Sequence, residues 1–210
     1  MFGELGRALD FNLLQSFKGL LWMAHSEYQL FNQRERALQN QAFGVDTVFL
    51  TADEVHKVCP QLDMTGGGHL PILGAAYHPP GSTVRHDAVV WGYASQAQWH
   101  GVHIHQGVDV TGVRVQNGRC VGVETSAGPV SAGVVMSAVG GYVTPVADMA
   151  GLRLPIVTIP LQALVTESYK PALSRIVASA DLHMYISQTD RGEFLIGAEI
   201  DPYPSYANRS

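Results

Sequence analysis

Three sets of residues could do chemistry. His86 follows the loop Pro79-Pro80-Gly81 and opens the run HDAVVWGYASQAQWH. Val89, Val90, Tyr93, Ala94 and Ala97 recur there at helical spacing, so His86 and Asp87 fall at a helix N-terminus. The positive end of a helix dipole disfavours a protonated imidazole, which keeps a ring nitrogen free as a nucleophile. The plainer reading is a capping-region histidine beside Asp87, and local physics alone favours it.

The second set is His100, His103 and His105, spaced H-x-x-H-x-H. This is metal-ligand spacing, but Asp109 is the only carboxylate nearby and Gly101 separates His100 from the rest. Surface histidines on an amphipathic strand fit better. In the third set, His183 alternates with Tyr185 and Ser187, placing the three on one strand face with Met184 and Ile186 on the other. An active-site wall and a solvent-facing strand suit that pattern equally. Glu167, Glu193 and Glu199 stand alone and receive no role. No G-x-S-x-G elbow supports serine hydrolysis, and no G-x-G-x-x-G links a strand to a helix; Gly66-Gly67-Gly68 and Gly140-Gly141 lack that setting.

The chain that must position these groups has 210 residues, 46% hydrophobic and 15% charged, with a net charge of −5. That composition supports a packed core. Without a lysine or arginine block, nucleic acid and anionic membrane are not expected partners. Cys59 and Cys120 form no C-x-x-C and no disulfide framework, which suits a reducing, cytoplasmic setting. The first residues carry Glu4, Arg7 and Asp10 before any apolar run, so no signal peptide is read there. The apolar region 143–165 is broken by Asp148, Arg153, Pro155 and Pro160 and cannot span a bilayer.

The patterning predicts a helix end and extended chain over 1–18, a buried strand at 19–25 and an amphipathic helix over 26–43. Thr51 and Glu54 form a capping box for the next helix, which Pro60 ends. Gly101 caps the helix over 86–100. A β-meander is expected from the runs at 102–106, 108–115, 119–125 and 129–137, the last entering Gly140-Gly141. Asn117-Gly118 is its clearest hairpin turn. A short helix at 143–150 precedes strands over 155–168, 176–179, 182–189 and 193–200.

At PPGSTVRHDAVVWGYA the chain resembles the flavin-attachment region of the β subunit of heterotetrameric sarcosine oxidase, within the FAD-dependent amino-acid oxidases. GVHIHQGVDVTGV, GVETSAGPV, DMAGLRLPI, PLQALVTE and HMYISQTDRGEFLIGAEID with SYANR agree in order and spacing. GLLWMAH, LTADEVHKVCP and PILGAAYHPPG agree more loosely, so the resemblance covers essentially the whole chain. It implies covalent FMN on His86, through alkylation by the flavin 8-methyl group, and FMN contact by His183. It implies non-covalent FAD, with its adenine end held by the backbone of Val110 and its passage near Gly140 and Gly141.

The implied activity is oxidation of sarcosine, a secondary amine, to its imine. Glycine and a one-carbon unit result, and electrons pass through FAD and FMN to oxygen. The implied partners are α, γ and δ subunits. A related dehydrogenase of dimethylglycine or another N-methyl amino acid is the nearest alternative, and a non-catalytic fragment is another. Gly141-Tyr142-Val143 replaces a family run often containing histidine, and Ile159 replaces a family histidine, which leaves the exact substrate open.

The implied fold is a mixed α+β, two-domain amino-acid-oxidase fold. It is expected to be an internal piece lacking the N-terminal Rossmann unit and a C-terminal portion. Residues 1–80 and 151–210 would form a substrate domain on a mostly antiparallel sheet, and 81–150 the FAD-domain segment.

Overall fold

The computed structural model describes residues 2–179, 181–200 and 206, with backbone only at 198–200. In chain order the elements are α1 (Phe2–Ala8), β1 (Ser16–Phe17), β2 (Leu20–Ala24), α2 (Glu27–Ala42), β3 (Val48–Thr51) and α3 (Ala52–Val58). A glycine 3-10 turn at Gly66–Gly68 leads to β4 (Gly74–His78), β5 (Ser82–Thr83) and α4 (His86–Trp99). Then come β6 (Val110–Gln116), β7 (Arg119–Thr125), β8 (Val130–Ser131), a 3-10 turn at Gly140–Tyr142 and α5 (Val143–Met149). The chain continues through β9 (Leu161–Ser168), β10 (Ile176–Ser179), β11 (Met184–Gln188) and β12 (Glu193–Ile200).

Two compact units result: Met1–His100 with Leu161–Glu199, and Gly101–Pro160 with Ile200–Ser210. The cuts expected from the sequence, at 80/81 and 150/151, were drawn by expected role, whereas these units are drawn by packing. The first unit is built on a seven-stranded sheet of order β3-β4-β2-β10-β11-β12-β9. Among its described ladders only β2–β10 is parallel. The mixed, mainly antiparallel architecture expected from the sequence is therefore the one observed.

One sheet face carries Leu21, Met23, Ala75 and Val177, which meet Val55, Cys59 and Ile72 in the core. α3 reaches that core from a start where the Thr51 N–H and hydroxyl both donate to Glu54 Oε2, each at 2.8 Å. α2 starts at Ser26, whose side chain accepts from the Gln29 N–H. Its Arg36 and Arg34 guanidinium groups lie 4.5 Å from the Trp22 and 4.7 Å from the Phe49 ring centroid.

The second unit holds the meander β6-β7-β8. Its hairpin turns at Asn117 and Gly118, with φ of 50° and 74°, as an Asn-Gly turn demands. Two sequence expectations need correction here. Residues 102–106 form no strand: Val102 and Ile104 are exposed and find no partner, so their alternation has nothing to alternate between. The last meander run shrinks to Val130–Ser131, and Gly140-Gly141 sit in a 3-10 turn rather than at a strand end. In the first unit, the strand expected over 155–168 forms only from Leu161, and the one expected over 182–189 only from Met184.

β8 packs so close to β7 that a Cβ at Gly122 would stand 2.0 Å from the Val130 carbonyl oxygen, at a φ of 145°. Gly122→Ala is expected to lower unfolding free energy by about 2–3 kcal/mol, combining backbone strain with a forced shift of β8. Gly107→Ala, at positive φ but in open space, is expected to cost about 1 kcal/mol. Urea unfolding of both variants measures the difference, and equal losses would refute this account of the meander.

Candidate functional site

The loop before His86 is fastened to the sheet. The Gly81 carbonyl accepts from the Lys18 N–H at 3.0 Å and the Gly19 N–H at 2.7 Å. No side chain fits at Gly81, because its Cβ would lie 2.7 Å from the Leu20 nitrogen. β5 then pairs with β1 through Ser16↔Thr83 and Phe17↔Ser82, and the Arg85 N–H donates to Leu13 O at 3.2 Å. α4 begins at once. Its Ala88 and Gly92 are buried, the latter against Leu9 and Phe11.

His86 is the first residue of α4, as its spacing predicted, and is exposed. Its imidazole has no hydrogen bond to the described residues. Asp87 does not serve it: Arg85 Nε donates to Asp87 Oδ1 at 3.1 Å and Arg85 Nη2 to Oδ2. The Ala88 N–H also donates to Oδ1, at 2.8 Å. The Arg85 hydrogen bonds hold the Asp87 carboxyl below its ordinary range, opposed by slight burial and aided by the Ala88 N–H and, least, by the charges of Arg85 and His86. Sequence reasoning placed Asp87 beside His86 and missed its capture by Arg85. The signal was the Arg-His-Asp order, but spacing alone does not choose between the two cations.

His183 lies in the same unit, in the turn between β10 and β11, exposed and at φ 45°. It precedes the strand and leaves the ladder that Tyr185 and Ser187 share, because the left-handed backbone turns it out of the alternation. Ser187 is buried and Tyr185 is half exposed, folding across Gly197, where a Cβ would stand 2.1 Å from its ring. Val110, Gly140, Gly141, His103 and His105 lie in the second unit, and His100 ends the first unit's N-terminal segment. Val110 opens β6 opposite Thr125 and is exposed. Gly140 has φ 54° with open space at its Cβ position, and the Gly141 carbonyl accepts from Thr158 Oγ1 at 2.6 Å. Such positions let a ligand approach the backbone. His100, His103 and His105 are exposed, with His100 edge-on to Trp99 at 4.8 Å. Among the described residues no His, Cys, Asp or Glu cluster is arranged to hold a metal.

Sequence reasoning also missed a recess of about 350 Å³ in the first unit, lined by Lys18, Tyr169, Ser174, Gln188 and Asp190. Gln188 is buried beneath it. Its Oε1 accepts from the Ala172 and Leu173 N–H groups at 2.7 and 2.9 Å, and its Nε2 donates to Lys170 O and Gly192 O at 2.9 and 3.0 Å. At the rim Lys18 Nζ donates to Asp190 Oδ1 at 2.8 Å, across 172 residues of sequence, beyond the reach of any local pattern.

The chain matches the family model "FAD dependent oxidoreductase" over residues 1–209, and belongs to that family. Among curated relatives, the sarcosine oxidase subunit beta of Rhizobium meliloti is 42% identical over 205 residues, covering 98% of this chain and 49% of its own. That of Rhodobacter capsulatus is 38% identical over 209 residues, covering 100% and 50%. The chain thus spans about half the length of these relatives. Among solved structures, L-proline dehydrogenase from P. horikoshii superimposes with a TM-score of 0.86 over 98% of this chain and 54% of its own, at 22% identity, which shows the shared fold. Among the described residues no helix is long and apolar enough to cross a membrane.

The Lys18 hydrogen bond lowers the Asp190 carboxyl, burial opposes it and the Ser16 hydroxyl adds to it. A carboxyl depressed in the folded state stabilises above its unfolded pKa, and that contribution disappears as pH falls through the folded value. Urea midpoints of the parent are therefore expected to fall more steeply than those of Asp190→Asn between about pH 4 and pH 2. Parallel profiles would show that the exposed pair contributes nothing.

Proposed function

We propose that this chain belongs to a sarcosine-oxidase-like β subunit, an enzyme that oxidises an N-methyl amino acid, sarcosine first, to its imine. The observation that carries the reading is identity with sarcosine oxidase β subunits along essentially the whole chain. Bound FAD supplies the two-electron acceptor for the amine, and FMN carries electrons onward to oxygen. The residues in hand fit these groups. His86 offers an exposed imidazole whose nitrogens no described residue engages, which is the donor that covalent attachment needs. It holds FMN through a ring nitrogen, and a helix start fixed by buried Ala88 and Gly92 orients it.

His183 meets the FMN from its turn. The backbone of Val110 holds the adenine end of FAD, while Gly140 and Gly141 keep the cofactor's path free of side chains. On this reading 81–150 is the FAD-domain segment, and 1–80 with 151–210 form the substrate domain, from which His183 reaches the FMN. Relatives named subunit beta support partner subunits, which the proposed reading takes to be α, γ and δ chains of a heterotetramer. Two sparse free cysteines, Cys59 and Cys120, suit the cytoplasm.

The test is mass spectrometry of the tryptic peptide containing His86 from sarcosine-oxidising holoprotein. The peptide is expected to carry the mass of FMN, and His86→Ala to carry none. An unmodified peptide from active holoprotein would remove the attachment. Holoprotein that leaves sarcosine unoxidised but consumes another N-methyl amino acid would move the substrate assignment to that compound.

A further inference from the structure

We propose that Arg85 is a positioning residue for flavin attachment, acting by withholding the Asp87 carboxylate from the His86 imidazole. The inference rests on His86 as the attachment point. Three consecutive residues carry a cation, an imidazole and an anion, and the geometry pairs the outer two across the middle one. Arg85 takes both carboxylate oxygens of Asp87, and the Ala88 N–H takes a further share of Oδ1. The imidazole is left exposed and unbonded at the helix start. Were Asp87 free, it would be the nearest anion to His86 on the same helical turn. An adjacent carboxylate favours the protonated imidazole and turns a ring N–H toward itself.

Attachment needs the opposite state. The flavin 8-methyl group first loses a proton, which leaves its carbon able to accept a lone pair. The ring nitrogen then gives its lone pair to that carbon, a C–N bond forms, the ring's own proton leaves, and two electrons remain in the isoalloxazine. Dioxygen then takes that pair with two protons and becomes hydrogen peroxide. A protonated ring has no lone pair to start this. The Arg85–Asp87 pair thus takes up the carboxylate's hydrogen bonds: Asp87 accepts from Arg85 and from the Ala88 N–H in the first turn of α4, and only a minor charge interaction with His86 remains.

The experiment reads covalent flavin per polypeptide, by fluorescence after denaturation and by the mass of the His86 peptide, over time after FMN is supplied to the full-length protein produced in riboflavin-starved cells. Arg85→Ala is expected to slow covalent loading by about tenfold, the size of a single neighbouring charge effect. Asp87→Asn alone is expected to load at the parental rate or faster, because it removes the competing anion and leaves Arg85 in place. The double variant Arg85→Ala with Asp87→Asn is expected to regain the parental rate, which a purely structural role for Arg85 would not produce. Parental loading by Arg85→Ala, slow loading by Asp87→Asn, or failure of the double variant to recover would each overturn the proposal. A parental protein whose His86 peptide never gains mass would overturn the attachment reading instead, so the two failures are distinct.

Discussion

The first unit depends on the parallel pairing of β2 with β10. Leu20 to Met23 align with Ile176 to Ser179, joining segments about 150 residues apart. Closing a loop of that length costs on the order of 4 kcal/mol in chain entropy. Fully burying Leu21 and Val177 on the core face contributes about 1.5–3 kcal/mol each, which offsets it. The start of β2 is held from both sides. Gly81 accepts from Lys18 and Gly19, while Arg175 Nη1 donates to Lys18 O and the Ile176 N–H to Gly19 O. One end of this clasp leads directly to β5 and His86, and the other through β10 to His183. Two histidines nearly a hundred positions apart thus take their places from one short strand.

How legible this was depends on the range of the signal. α2 was readable from its periodicity, and α3 and α4 from caps as well, because both signals act within a few residues, as Thr51 with Glu54 and Gly101 at φ 86° show. The Asn117-Gly118 turn was readable for the same reason. The β2–β10 ladder was not, because no local pattern names a strand's partner. Residues 102–106 misled because alternation marks a strand only when one face has something to bury against. His183 misled because its alternation with Tyr185 is real in the sequence, but its backbone is left-handed. For the site, the helix start that carries His86 was legible from periodicity, while any flavin role for that histidine came only from resemblance and belongs to the proposal. Glu199 and the SYANR run add nothing to this comparison, since the Glu199 side chain and residues 205 and 207–209 lie outside what the structure describes.

Two elements carry more apolar surface than their surroundings cover. α4 buries Ala88 and Gly92 but exposes Val90, Trp91, Tyr93 and Trp99. β9 is exposed along its whole length, Leu161, Leu164 and Val165 included. Both elements interleave these with polar residues, Ser95, Gln96 and Gln98 in α4 and Gln162, Thr166 and Glu167 in β9. The buried face of α4 nevertheless suffices to orient it, because Gly92 lets Leu9 and Phe11 approach to 3.2 Å of its Cβ position and Gln96 Nε2 donates to Leu9 O at 3.0 Å.

That orientation explains why a helix start suits a covalent anchor better than a loop. A ring on the first residue of α4 inherits the direction of fourteen residues of backbone. Its remaining freedom is rotation of its own side chain. A loop histidine would add the freedom of every residue around it, and a bond to a planar cofactor would have to restrict all of them. On the proposed attachment reading, Gly81 and Gly92 therefore matter to the site as much as His86. Neither has a side chain to contribute, and the close approach of Leu20 at one and Phe11 at the other is what fixes where the imidazole stands.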